Sequence, residues 1–300
     1  MVECRIIDNP NLRWHHFDDA EDPELVVLAA QYSLHELAIG QCATLTSRAK
    51  LDDYQTYLFV VLIEFRNEEQ PDRLVEEPLY LFVGDDFIIT VSDGINRSVE
   101  NAKQIIKTPW ISERTSKDIF YLLFDYICDQ YFPVIDEISE EISELEQAVY
   151  EKPDRDISRR ATILKKTLTL LRRAASSHRG IINQLLRKNP PYLQAPLNLY
   201  FRDIYDHLVQ AMDLIETDRD LLTGVIDTNI SATAHRTNEI VKTLTIYATA
   251  LLPLNVITGY FGMNFVHLPF IHERWAVPII TTLLLLMLIG TAIYLRRRQW

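Results

Sequence analysis

Three hundred residues with a formal net charge of −12 argue against nucleic acid or an anionic lipid surface as partner, since both carry the same sign. The charge suits a protein that attracts cations, and equally one that is simply soluble. Cys4, Cys42 and Cys128 form no Cys-x-x-Cys pair, which disfavours a zinc site or disulfide framework and reads them as core thiols.

The first residues, MVECRIIDNPNLRWHH, contain acids and a proline but no apolar run. They are unlike a secretory signal, so the chain is expected to start in the cytosol. Residues 1–110 read as an α/β domain. Residues 57–63 form an apolar, β-rich run of strand length. Runs 79–83 and 87–91 flank Gly84-Asp85-Asp86, which predicts a hairpin. Residues 24–42 and 99–106 have helical spacing.

From Ser112 onward glycine becomes scarce and helical spacing takes over. A helix over 112–151, kinked or broken near Pro133, ends strongly acidic with Glu140, Glu141, Glu144 and Glu146 among others. Residues 152–154 end it, and Asp156 or Ser158 is expected to cap the next helix. That helix, to about Lys188, is basic, with Arg159, Arg160, Lys165, Lys166, Arg172 and Arg173. Opposite charge and a short turn predict an antiparallel hairpin, with solvated charged faces as the alternative. A last helix begins near Pro196, with only Gly224 interrupting residues 197–252 and no proline before Pro253. At ~1.5 Å per residue it would exceed roughly 80 Å, too long for a globular core, and reads as a stalk. The helical stalk region is placed at 111–240.

Residues 275–295 (WAVPIITTLLLLMLIGTAIYL) carry no charge over 21 positions, the length a helix needs to cross ~30 Å of hydrocarbon. Residues 241–263 are long enough for a first span but include Lys242, Asn255 and several threonines. Such a span turns its polar side to protein or water. Residues 264–274 would then be an external loop and 296–300 a basic tail, with Arg296, Arg297 and Arg298 holding that end inside. Both termini are expected in the cytosol.

One stripe runs down the long helix and through the first span: Asp227, Ile230, Ala234, Asn238, Val241, Thr245, Ala248, Leu252, Asn255 and Gly259. Its gaps are all three or four, close to the 3.5 period of a left-handed bundle. Small and amide side chains replace the Leu and Ile of an ordinary core seam. A channel lining would use them as rings, with Asn238 and Asn255 as amides and Asp227 as carboxylates. Leu244 or Leu252 would form an apolar constriction. A helix pair with small residues at its contact is the plainer alternative.

With Gly262-Met263-Asn264 directly after this stripe, the chain resembles the CorA family of magnesium channels. In isolation that tripeptide would pass for a turn at a helix end. The likeness extends over Thr237-Asn238-Glu239, Lys242-Thr243-Leu244-Thr245, Pro253, Gly259, Pro269 and the loop tryptophan Trp275. Towards the N-terminus it includes His35-Glu36-Leu37-Ala38 and Lys50-Leu51-Asp52-Asp53-Tyr54. The resemblance implies an α+β cytosolic domain, a long helical stalk and two C-terminal transmembrane helices, assembled as a funnel-shaped homopentamer in the plasma (inner) membrane. The first span would line the pore, and Gly262, Met263 and Asn264 would ring its outer mouth. Mg²⁺ sheds water reluctantly, so uncharged carbonyl and amide acceptors suit a first contact with its hydration shell.

The resemblance also implies regulation by cytosolic Mg²⁺, with Asp203 matching a carboxylate that shares a divalent ion with a neighbouring domain. Its partner is open, with Asp85, Asp86 and Asp93 considered. The loop departs from the family's pattern: acids common soon after the signature are replaced by a stretch containing His267, His272 and Glu273. Imidazoles suit Zn²⁺, Co²⁺ or Ni²⁺, so a transporter of those ions with the same architecture is the nearest alternative; both histidines are otherwise plain loop residues. A two-span sensor or scaffold would leave the stripe and signature unexplained. No Ser/His/Asp grouping, HExxH or phosphate loop points to an enzyme.

Overall fold

The computed structural model describes residues 5–9, 12–44, 48–67, 74–106, 115–151, 153–188, 195–263 and 275–297. The chain divides into two compact units, Met1–Ile226 and Asp227–Trp300.

The first unit is built on a six-stranded sheet. Its strands are β1 (Arg5–Asn9), β2 (Leu12–Phe17), β3 (Lys50–Asp53), β4 (Leu58–Asn67), β5 (Leu74–Val83) and β6 (Phe87–Val91), in the order β1-β2-β6-β5-β4-β3. Only β2 and β6 run parallel; the other pairs are antiparallel. The predicted hairpin is present, closed by Gly84 N–H donating to the Phe87 carbonyl at 2.9 Å. A Cβ on Gly84 would lie 2.2 Å from the Phe87 ring, so no larger residue fits this turn without moving that ring.

β4 has no alternating pattern because both its faces are buried, as in a sheet covered by helices on both sides. Glu64 is the exception, a carboxylic acid on β4 that is 2% exposed. Burial pushes its pKa up.

Helices α1 (Pro23–Gln31), α2 (Glu36–Ala43) and α3 (Arg97–Ile106) belong to the same unit. The helical run expected over 24–42 is split in two, with Ser33 at φ 53 in the left-handed region between the parts. Past these come α4 (Ser116–Asp129), α5 (Tyr131–Glu151), α6 (Arg155–Lys188) and α7 (Ala195–Phe261). The break expected near Pro133 is present, at Gln130. Pro133 sits in the first turn of α5, where its missing N–H removes no helical hydrogen bond. The capping expectation is corrected as well: α6 starts at Arg155, so Asp156 and Ser158 lie within its first turn.

Buried residues recur every three or four positions on these helices. On α5 they are Ile135, Ile138, Ile142, Leu145 and Val149; on the first part of α7, Phe201, Ile204, Leu208, Ala211 and Ile215. α4 packs on β2, β4, β5 and β6, and α6 meets β3.

His178 of α6 joins helix to sheet. β3 pairs only with residues 58–61 of β4, and beyond its end Ile63 N–H donates to His178 Nε2 at 3.0 Å. With Nε2 accepting, Nδ1 carries the proton and donates to the Tyr131 hydroxyl, 3.1 Å away. Burial lowers the His178 pKa to about 3, so this ring is neutral. Cys42 and Cys128 are buried free thiols, and burial raises the Cys42 pKa to about 12.

The second unit contains the rest of α7 and α8 (Ala276–Arg297).

Candidate functional site

In the second unit every stripe position is exposed: Asp227, Ile230, Ala234, Asn238, Val241, Thr245, Ala248, Leu252, Asn255 and Gly259. Leu244 and Leu252, the two candidate constrictions, are 67% and 64% exposed. α7 contains the one described helix long and apolar enough to cross a membrane, with a mean hydropathy of 1.6 over its most apolar window. The apolar part of α8, Val277–Thr291, is shorter.

Thr245 Oγ1 donates to the Val241 carbonyl at 2.8 Å, so only the hydroxyl's lone pairs remain to face outward. Pro253 lies inside α7 and cannot donate to the carbonyl four residues earlier, which leaves an acceptor at Thr249.

α7 ends at Phe261. Gly262 N–H still bonds to the Thr258 carbonyl at 2.9 Å, and a Cβ at this position would lie 3.0 Å from that oxygen. Gly262 therefore suits a tight exit from the helix, with Met263 following it, 47% exposed. Asn264, His267, His272 and Glu273 lie outside the described residues.

In the first unit, Asp203 belongs to a group assembled by two helices. Tyr121, Asp125 and Asp129 are spaced by four on α4, and Asp203 and His207 by four on α7, so each set shares a helix face. The ligating atoms of Asp125, Asp129 and His207 all lie within 4.8 Å of one another. His207 Nδ1 is 3.4 Å from Asp129 Oδ1, and its ring meets Phe132 edge-on at 6.0 Å.

Burial raises the Asp125 pKa, and the charges of Asp129 and Asp203 add to that rise. Burial, with Asp125 and Asp203 nearby, raises the Tyr121 pKa to about 12, so it remains a hydroxyl donor beside Asp125. Like charges gathered around one imidazole form a donor set that fits a divalent cation. The carboxylates suit Mg²⁺, and the imidazole extends the range towards Co²⁺, Ni²⁺ and Zn²⁺.

Sequence reasoning reached Asp203 through the resemblance but missed Asp125, Asp129 and His207. The i, i+4 spacings were visible, but the meeting of α4 with α7 was not. Two of the partners considered for Asp203 are engaged in their own chain, Asp85 with Lys117 at 3.2 Å and Asp86 with Arg13. Asp93 is exposed.

The sequence model of one family, described as CorA-like Mg2+ transporter protein, matches residues 9–297. The Cobalt/magnesium transport protein CorA of Thermotoga maritima is 29% identical over 271 residues, covering 90% of this chain and 77% of that protein. The Zinc transport protein ZntB of Yersinia pseudotuberculosis is 23% identical, covering 79% of this chain and 72% of that relative. Among solved structures, the complete CorA magnesium transporter of Methanocaldococcus jannaschii matches with a TM-score of 0.85 and 21% identity. That match covers 97% of this chain and 92% of the other, a likeness of fold.

Proposed function

The chain belongs to the CorA-like Mg2+ transporter protein family, and from that premise we propose that it is a passive divalent cation channel, carrying Mg²⁺ into the cytosol under the membrane potential. The reading rests on the stripe of α7, which is exposed along its length and leads to Gly262 and Met263. In a homopentamer of copies in the plasma (inner) membrane, five stripes would face one axis, with both termini in the cytosol. Asp227, Asn238, Thr245, Ala248, Asn255 and Gly259 would line the path. Leu244 and Leu252 would narrow it, and Gly262, Met263 and Asn264 would form the mouth. A divalent ion gains about 4.6 kcal/mol per 100 mV on entering an inside-negative cell, twice the ~2.3 kcal/mol for one charge, so no ATP is required.

Control is assigned to the cytosolic carboxylates. Asp125, Asp129, Asp203 and His207 would hold a regulatory divalent cation, which supplies charge neutralisation there. Without it the three carboxylates repel one another, which favours separation of α4 from α7 and biases the pore towards opening.

The test is ion flux into liposomes containing purified protein under an imposed inside-negative potential. Wild type is expected to admit Mg²⁺ and Asn264→Ala to lose that flux while remaining assembled; normal uptake by the variant sinks the assignment of the mouth. Asp203→Ala is expected to keep conducting at internal Mg²⁺ concentrations that close the wild type, and unchanged closure removes Asp203 from the regulatory site. A second reading, Zn²⁺ or Co²⁺/Ni²⁺ transport, is favoured by His267 and His272 in the loop and by the likeness to ZntB. Zn²⁺ flux without Mg²⁺ flux, lost on replacing both histidines, would establish it.

A further inference from the structure

Away from the carboxylate group, the first unit contains a cavity of about 840 Å³ lined by Arg48, Arg172, Arg173, Arg179 and Arg219. Its volume lies within the ~300–1,000 Å³ of small-molecule sites. Five guanidiniums around one space run against a chain whose net charge is −12.

The carboxylates nearby do not balance them. Arg173 forms a two-oxygen contact with Glu76, 2.8 Å to each. Arg172 and Arg219 share the single carboxylate of Glu216, at 3.0 and 3.2 Å. Among the described residues no ion pair engages Arg48 or Arg179. Five positive groups therefore face two negative ones, leaving an excess of three. Arg219 Nε is in addition a buried donor with no hydrogen-bond partner, an arrangement that costs free energy until an acceptor is supplied.

α6 presents much of this wall as one helix face, since Thr169, Arg172, Arg173, Ser176 and Ser177 follow the i, i+3, i+4, i+7, i+8 pattern. Ile63 and Met212 provide an apolar part of the lining.

We propose that this cavity binds a small anion carrying several phosphate groups, either inorganic polyphosphate or a nucleoside triphosphate. The planar fork of arginine matches phosphate oxygens in pairs, and an excess of three positive charges suits a polyanion better than a monocarboxylate. Entry of the phosphates would give Arg48 and Arg179 counter-ions and Arg219 Nε an acceptor. An acidic helix of a second copy, such as the Glu-rich stretch of α5, is the competing occupant.

The experiment is calorimetric titration of the purified full-length protein in detergent at low ionic strength, in divalent-free buffer so that chelation of metal contributes no heat. The probes are inorganic tripolyphosphate and ATP, with sulfate as reference. Saturable binding of tripolyphosphate, ATP or both, tighter than sulfate, is expected. The double variant Arg48→Gln/Arg179→Gln is expected to weaken it about 100-fold, tenfold for each guanidinium. Neither residue is buried, and among the described residues neither is in an ion pair, so this variant should fold, which circular dichroism checks. Arg159→Gln, outside the cavity, should bind as the wild type does.

Equal affinity for tripolyphosphate and ATP identifies the phosphates alone as the ligand, whereas binding of ATP only assigns the base to the apolar lining. Absence of saturable binding, as when a neighbouring copy fills the cavity, or undiminished affinity in the double variant overturns the proposal. The readout is binding, so it is independent of whether the protein conducts ions.

Discussion

The two parts of α7 share a period and differ in chemistry. Up to Val225 the seam is mostly aliphatic and aromatic, with Phe201, Ile204, Leu208, Ala211, Ile215 and Leu222 around one buried carboxylate, Asp218, and it is buried within its own chain. From Asp227 onward a stripe of the same three- and four-residue spacing, on a different face from the buried seam that ends at Val225 and Asn229, holds Asn238, Thr245, Ala248, Asn255 and Gly259 and is exposed. A helix gains most of its stability from packing. A seam that buries large apolar groups is complete in one chain, whereas an exposed seam of small and amide groups requires lipid, water or further copies around it. Burial and residue type together therefore separate the scaffold from the proposed conduit, which period alone does not.

The comparison is most directly broken by truncating each part. Phe201→Ala removes a fully buried ring and is expected to cost about 3–5 kcal/mol, read as a lower Tm. Leu252→Ala shortens a side chain that is 64% exposed, and unfolding of the first unit should stay within about 0.5 kcal/mol of wild type while ion flux changes. A large loss of stability in the first unit from Leu252→Ala would show that the two seams do not differ as argued.

The proposed divalent site sharpens the contrast, because it lies on the part of α7 within the first unit. At a Mg²⁺ concentration 100 times its dissociation constant, wild type should gain about 2.7 kcal/mol of stability. His207→Ala combined with Asp125→Asn should abolish most of that gain; a full Mg²⁺-dependent rise in Tm in the double variant would place the site elsewhere.

A smaller effect follows from His178. Its folded pKa, about 3, lies below the ordinary 6.5, so the unfolded chain takes up a proton that the folded chain refuses. The stability contribution is complete above pH 6.5 and is lost as pH falls towards 3, at about 1.4 kcal/mol per pH unit. Glu64 and Asp125, with raised pKa values, act in the opposite sense, so the useful measurement is a difference between proteins. Tm against pH should fall more steeply for wild type than for His178→Gln over this window, and parallel curves would refute the neutral-histidine link.

The smallest expected effect belongs to Arg160. Although Arg160 reaches Glu141 at 2.8 Å and Glu144 at 3.7 Å, it is 38% exposed, and Arg160→Ala should cost no more than about 1 kcal/mol.

Much of the helical half was legible beforehand. α7 is expected as one helix from near residue 196, and no proline between the Pro196 of its first turn and Pro253 interrupts it. The opposite charges of α5 and α6 do meet, but only in part. Arg160 pairs with acids of α5, while Arg172 and Arg173 turn to Glu216 of α7 and Glu76 of β5. β1 and β2 were not read as strands. Their sequences, RIIDN and LRWHHF, show no clean alternation, and β2 is a strand because it pairs with β6, more than seventy residues away.

By itself the sequence determined the order of elements from residue 116 onward, the long apolar segments near its end, and the family through Gly262-Met263-Asn264 and its surroundings. These are local properties: spacing, helix breakers and motifs act within a few turns of chain. Tertiary structure alone decided that β2 lies beside β6, that Asp125 and Asp129 meet His207, and that five arginines face one cavity. Each of these joins segments tens of residues apart, and their proximity depends on which apolar faces pack together, information that no single stretch of sequence carries.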